Sequence, residues 1–63
     1  NNYIRRKLVR IEDEAFIGTG TIILKGTHIG RGSIIGAGSI VCGEIPPFEI
    51  WAGAPARFVK KID

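Results

Sequence analysis

Aliphatic residues recur every six positions through most of this chain. They stand at Ile11, Ile17, Ile23, Ile29, Ile35 and Val41. A second column lies four places after each of these, and five of its six members are small: Ala15, Thr21, Thr27, Ser33, Ser39 and Ile45. An amphipathic helix spaces its apolar residues three and four apart, so a strict period of six excludes a helix over residues 11–46.

Glycine precedes the small residue in four successive repeats, at Gly20, Gly26, Gly32 and Gly38. A repeat of six fits a short strand followed by a sharp corner, where glycine adopts backbone angles that other residues avoid. Three such sides close a triangular coil, and successive coils stack about 4.8 Å apart through parallel ladders. The pattern therefore predicts an all-β fold, a parallel β-helix of about two coils over residues 11–47. Its inward residues should stack as Ile11 on Ile29, Ile17 on Ile35 and Ile23 on Val41.

The segments on either side of the repeat lack its pattern. Arg5 occupies a place in the aliphatic column, so residues 1–10 are predicted to be an irregular N-terminal segment. Solenoids need roughly three or more repeats, so we expect further coils to precede these two and the methionine-free chain to be a piece of a longer protein. We expect Pro46-Pro47 to end the hexads. Residues 48–63 are predicted to form a final extended segment and a short capping helix from Pro55, which covers the open edge of the last coil.

The residue before each inward aliphatic must point outward. These outward residues are Phe16, Ile22, His28, Ile34 and Ile40, and four of the five are apolar. Stacking would place Phe16 with Ile34 on one side of the prism, Ile22 with Ile40 on a second and Arg10 with His28 on the third. A soluble monomer rarely leaves two apolar stripes in water, so we expect a subunit interface and a cyclic homotrimer.

Composition excludes several classes of protein. The net charge of +3 is concentrated at the two ends of the chain, and one Trp with one Tyr provides no aromatic ladder for nucleic acid. The apolar runs are too short for a membrane span. One Cys and one His cannot form a disulfide or supply a metal site. The lone thiol is compatible with a cytoplasmic location, which is the location we expect.

Several residues with reactive or binding chemistry are explained more simply by the fold. The Gly-x-Gly triplets fall at predicted corners, which accounts for them without a nucleotide loop. Cys42 has no neighbouring cation or histidine in sequence, which favours a small packed residue over a reactive thiol. Glu12, Asp13 and Glu14 are expected at one solvated corner. His28 is expected on the polar side of the prism as a surface residue.

Five segments carry a resemblance to a known family: Ile17-Gly18, Gly26-Thr27-His28-Ile29-Gly30, Ser33-Ile34-Ile35-Gly36-Ala37-Gly38-Ser39, Ile45-Pro46-Pro47 and Gly53-Ala54-Pro55-Ala56-Arg57. With them the chain resembles the hexapeptide-repeat acyltransferases, most closely the maltose and galactoside O-acetyltransferases. The likeness runs from about Val9 to Ile62 and corresponds to the C-terminal third of those proteins. It implies a left-handed β-helix that uses acetyl-CoA as co-substrate to acetylate a hydroxyl of a sugar or glycan precursor. The general base in that family is a histidine upstream of everything in this chain, so the chain alone should be inactive.

The resemblance also implies roles for seven residues. Backbone groups of Thr19 and Ala37 would hold the pantetheine arm of acetyl-CoA. Cys42 and Gly43 match a Thr-Lys pair that contacts the cofactor near its nucleotide, although the lysine is absent here. Arg57 and Lys60 match basic positions that approach the cofactor phosphates. Phe16 matches a Trp that walls the catalytic pocket.

A second hypothesis makes the same coils a non-catalytic β-helix module for assembly or binding. The residues that precede Asn1 would distinguish the two: further hexads with a histidine-containing loop favour the enzyme, and an unrelated domain favours the module.

Overall fold

The computed structural model describes residues 8–62, which contain nine β-strands and no helix, hence no helix able to cross a membrane. The strands are β1 (Arg10–Ile11), β2 (Phe16–Ile17), β3 (Ile22–Ile23), β4 (His28–Ile29), β5 (Ile34–Ile35), β6 (Ile40–Val41), β7 (Glu44–Ile45), β8 (Glu49–Gly53) and β9 (Ala56–Lys61). They form three sheets: sheet A with the order β1-β4-β7, sheet B with the order β2-β5-β8-β9, and sheet C with β3-β6. Every third strand therefore returns to the same side of a prism. Most of the predicted segment 1–10 lies outside the described residues.

The predicted stacking is confirmed. Ile11 pairs with Ile29, Ile17 with Ile35 and Ile23 with Val41, all in parallel register. The outward residues stack as expected too, with Arg10 beside His28, Phe16 beside Ile34 and Ile22 beside Ile40. The four corner glycines have φ angles of 76°, 83°, 69° and 72°, the left-handed region that glycine enters without a steric penalty.

The core is a column of aliphatic side chains along the axis of the prism. Ile29, Ile35 and Val41 are fully buried, whereas Ile11 in the first coil is 46% exposed. Between the aliphatics lie Thr27, Ser33 and Ser39, which are also buried. Their hydroxyls donate to backbone carbonyls at the corners, and every buried side-chain nitrogen or oxygen in the described part of the chain has a partner.

The repeat does not end at Pro46-Pro47, contrary to the sequence prediction. Strand β7 pairs with β4 at a separation of 16 residues, with Glu44 beside His28 and Ile45 beside Ile29, because the corner at Cys42-Gly43 is two residues short. Ile45 therefore belongs to the buried aliphatic column and not to the small column. Trp51 follows six residues later and stacks on Ile35, so a third coil is under way after the two prolines.

The predicted capping helix from Pro55 is wrong. The chain turns after Gly53, through a cis Ala54-Pro55 peptide, and returns as β9, antiparallel to β8. The open edge of β8 supplies hydrogen-bond partners for a six-residue strand, whereas a helix of about eight residues is marginal in water. This strand covers the open edge of the coil, as the helix was expected to do. Phe58 packs edge-on against Trp51, with ring centroids 6.3 Å apart.

Candidate functional site

The corner between sheets B and C carries Thr19 in the first coil and Ala37 in the second. Both residues are exposed, and the N–H of Gly38 donates to the carbonyl of Thr19 at 2.9 Å, which joins the two coils there. Within residues 8–62 the backbone N–H groups of Thr19 and Ala37 have no backbone acceptor. Since backbone amides seek partners, two such groups one coil apart can bind the carbonyl groups of an extended ligand lying along the stack.

Gly18 allows the two coils to approach at this corner. A Cβ atom at Gly18 would lie 2.5 Å from the backbone nitrogen of Ala37, closer than real contacts allow. Any larger residue would therefore push apart the two turns that present the amides.

A β-bulge sets the orientation of the basic residues on β9. Arg57 lies opposite Ala52 and Lys60 opposite Ile50, with a register shift at Ile50/Trp51. Residues directly opposite each other share a face of the sheet, so Arg57 and Lys60 both project from the outer face, on which Ile34 and Ile50 lie. Without the bulge, residues three apart on a strand would project from opposite faces.

The outer face of sheet B joins these groups to the corner. Phe16, 63% exposed on β2, begins a row that continues through Ile34 and Ile50 to Lys60. Arg57 lies beside Ala52, next to the third turn of the same corner. Of the seven residues predicted for the site, the structure thus gathers five on one corner and its adjoining face: Phe16, Thr19, Ala37, Arg57 and Lys60.

Cys42 and Gly43 lie elsewhere. They form the shortened corner between sheets C and A, at the opposite edge of sheet C from Thr19 and Ala37. Cys42 is exposed, so its prediction as a packed residue is wrong. Gly43 has a φ of 90°, and its carbonyl accepts the backbone N–H of His28 at 2.9 Å.

His28 lies between two carboxylates on the outer face of sheet A. Its Nε2 is 2.8 Å from Oε2 of Glu12, and its Nδ1 is 2.7 Å from Oε2 of Glu44. The hydrogen bond with Glu12, followed by the charge of Glu44, raises the pKa of His28 above its ordinary value. The same hydrogen bond and the Arg10 guanidinium lower the pKa of Glu12.

Sequence reasoning missed this cluster. The pairing of Arg10 with His28 was predictable from the 18-residue coil, but Glu44 joins only because the corner before it is short. Glu14, expected at a solvated corner, is exposed there and pairs with Arg31 at 3.0 Å. Within the described range, no group of three or more His, Cys, Asp or Glu side chains is arranged to hold a metal ion.

Comparison with known proteins places this fold in a family. Residues 9–43 match the model of the bacterial transferase hexapeptide family, described as six repeats. That range is more than half of the 63 residues, and the chain belongs to this family, whose fold is the left-handed β-helix. The handedness expected from the resemblance follows from this membership.

Individual relatives are acetyltransferases. A 2,3,4,5-tetrahydropyridine-2,6-dicarboxylate N-acetyltransferase of Halalkalibacterium halodurans is 54% identical over 57 residues, 90% of this chain and 24% of the relative. A maltose O-acetyltransferase structure from Clostridium difficile 630 superposes with a TM-score of 0.84 at 47% identity, covering 87% of this chain and 29% of that one. A galactoside acetyltransferase in complex with coenzyme A gives 0.85 at 42% identity, covering 87% and 28%. The chain thus spans about a quarter of the length of these relatives.

Proposed function

We propose that this chain is the cofactor-binding part of an acetyl-CoA-dependent acetyltransferase. The observation that carries the proposal is the corner at Thr19 and Ala37, two exposed residues one coil apart whose amides lack a backbone acceptor, with two cations on the adjoining face. The coenzyme A complex of the similar galactoside acetyltransferase supports acetyl-CoA as the ligand.

In the proposed complex the pantetheine arm lies along the stack. The N–H groups of Thr19 and Ala37 donate to its amide carbonyls, and Arg57 and Lys60 form charge-assisted hydrogen bonds with phosphate oxygens at the far end. Phe16 supplies an apolar wall at the first coil, toward which the thioester end would point.

The proposed reaction is a general-base acyl transfer. The acceptor oxygen or nitrogen attacks the thioester carbonyl carbon, a base takes its proton, and the coenzyme A thiolate leaves when the carbon–sulfur bond breaks. We assign the base to a histidine outside this chain. His28, the sole histidine of the sequence, faces a carboxylate with each ring nitrogen, so neither nitrogen is directed at an acceptor group.

The proposed acceptor is a hydroxyl of a sugar or glycan precursor, as the maltose and galactoside enzymes suggest. An amine of a dicarboxylic acid is the second candidate, favoured by the 54% identity with the N-acetyltransferase. The exposed Cys42 thiol suits a reducing compartment, which supports a cytoplasmic location.

We also propose that three copies assemble into a trimer. Apolar stripes run along two adjacent sides of the prism. Their first residues are Phe16 and Ile22, which are 63% and 55% exposed. Cys42 and Gly43 lie at the opposite edge of sheet C from the Thr19–Ala37 corner of their own chain, so we expect a neighbouring copy to supply them. Sedimentation equilibrium should give three times the monomer mass, and a monomer at micromolar concentration would refute the assembly.

The activity is tested by following coenzyme A release from acetyl-CoA with a thiol reagent, after subtraction of the signal from Cys42. A longer protein that joins this chain to the histidine base should acetylate maltose, a galactoside or tetrahydropyridine dicarboxylate, and the preferred acceptor identifies the substrate class. Absence of acetyl-CoA binding by the folded protein would contradict the proposal in favour of the non-catalytic module.

A further inference from the structure

The single histidine of the chain joins three successive strands of sheet A. Its Nε2 and Nδ1 lie 2.8 Å and 2.7 Å from carboxylate oxygens of Glu12 and Glu44. An ionised carboxylate only accepts hydrogen bonds, and a neutral imidazole has one N–H to donate. Both contacts are therefore hydrogen bonds only when the ring carries two protons.

This cluster borders the shortened corner. Glu44 directly follows Cys42-Gly43, and the backbone N–H of His28 donates to the carbonyl of Gly43 at 2.9 Å. His28 thus holds the corner through its backbone and the residue after the corner through its side chain. The other corners of the second coil have two more residues, so the Cys42-Gly43 corner has less conformational freedom.

We propose that Glu12, His28 and Glu44 form a proton-dependent clasp, which holds the Cys42-Gly43 corner against the second coil while His28 is doubly protonated and loosens it when His28 is neutral. Glu44 is the partner released. Glu12 is the better anchored of the two carboxylates, since Arg10 Nε also lies 3.0 Å from it and its side chain is 33% exposed, against 67% for Glu44.

The charges that face the ring favour the closed clasp. Glu12 and Arg10 approach from the β1 side and Glu44 from β7, so two carboxylates outnumber one guanidinium. They raise the pKa of His28, chiefly through the hydrogen bond with Glu12. Because the folded pKa is raised, the clasp is complete at lower pH and opens as the pH rises through that value.

The consequence for the cofactor rests on the proposed function. If Cys42 and Gly43 contact acetyl-CoA, an ordered corner binds more tightly than a loosened one, since less ordering is needed on binding. Affinity for acetyl-CoA should then fall as His28 loses its proton.

The clasp is tested by NMR on the whole protein, in which the imidazole nitrogens of His28 are followed with pH. The expected result is a titration midpoint that shifts downward in Glu12→Gln and in Glu44→Gln. Glu14→Gln is the matched control, because it removes a surface carboxylate that pairs with Arg31 instead. Hydrogen exchange of the His28 amide, corrected for intrinsic rates, should speed up above the midpoint in the unmodified protein, and Glu44→Gln should abolish that change. A midpoint that neither substitution moves, or equal protection on both sides of it, would overturn the clasp.

Calorimetric titration of acetyl-CoA below and above the midpoint separates this inference from the proposed function. His28→Gln is the control, because any pH dependence of binding that remains in this variant comes from the phosphates of the cofactor. An affinity that falls with pH only when His28 is present supports the link. Binding with the same pH dependence in both proteins overturns the link and leaves the acetyltransferase proposal intact. No binding, together with the expected NMR shifts, overturns the acetyltransferase proposal and leaves the clasp.

Discussion

The small residues of the repeat fasten one coil to the next. The sequence predicts small residues here because larger ones would crowd the corner. Ser39 also forms two hydrogen bonds. Its hydroxyl donates to the carbonyl of Gly36 at 2.6 Å and accepts the N–H of Gly53 at 3.1 Å. Ser33 makes the equivalent contacts with Pro46 and Glu49 one corner away. These bonds anchor the third coil, and with it the β8–β9 hairpin that carries Arg57.

Ser39→Ala should therefore destabilise the protein. It removes two hydrogen bonds, to the carbonyl of Gly36 and from the N–H of Gly53, and each typically contributes about 0.5–1.5 kcal/mol. Urea unfolding measures the loss. Thr21→Ala is the control, because the half-buried Thr21 hydroxyl makes one longer bond of 3.2 Å, to the carbonyl of Gly36. Equal effects of the two substitutions would argue against the fastening role of Ser39.

Stability should vary with pH through the pair Glu12 and His28. The raised pKa of His28 adds stability below its unfolded value of about 6.5, and that contribution disappears as the pH rises through the folded pKa. The lowered pKa of Glu12 adds stability above about 4.5, which disappears as the pH falls through its folded value. Urea midpoints should consequently be highest between the two, and His28→Gln should flatten the alkaline side. An unchanged alkaline slope would contradict the assignment.

At the scale of the elements, the period of six predicted strands β1 to β6 and their pairing. It failed where the period changes: Val41 to Ile45 is four residues, and the spacing alone assigned Ile45 to the wrong column although it is 99% buried among the aliphatics. The helix predicted from Pro55 failed because local sequence does not show the open edge of β8, which pairs with Arg57 and Phe58. A strand edge awaiting a partner overrides a weak helical pattern.

The bulge in β9 gives a sharp prediction about two adjacent lysines. Lys60 lies opposite Ile50 on the face of Arg57, whereas Lys61 lies opposite Glu49, whose side chain accepts the Trp51 Nε1 hydrogen on the other face. Lys60→Ala should weaken acetyl-CoA binding, and Lys61→Ala, with the same change in charge, should leave it nearly unaltered. Isothermal calorimetry at matched ionic strength compares them. Equal losses of affinity in the two variants would show that binding depends on the net charge and not on the positions of the lysines.

At the scale of the whole molecule, the prism brings distant segments of the chain onto one surface. The 18-residue coil made the alignment of Thr19 with Ala37 predictable, since residues one coil apart must stack. The common face of Arg57 and Lys60 was not predictable, because it depends on a bulge that no spacing reveals. The period of six also predicts that Cys42 and Thr19 lie at different corners of the prism. Because of this separation, we propose that a ligand which contacts both corners lies between two copies of the chain.

The central claim is that the Thr19–Ala37 corner and the adjoining cations bind acetyl-CoA. Calorimetric titration of acetyl-CoA into the protein, into Arg57→Ala and into Arg31→Ala tests it most directly. Arg31 is the matched control, since it pairs with Glu14 at the corner between sheets A and B. The account predicts binding that weakens roughly ten- to hundredfold on Arg57→Ala, the range of a lost charged hydrogen bond, and little change on Arg31→Ala. Binding that is insensitive to Arg57, or no heat with acetyl-CoA from a folded protein, would contradict it.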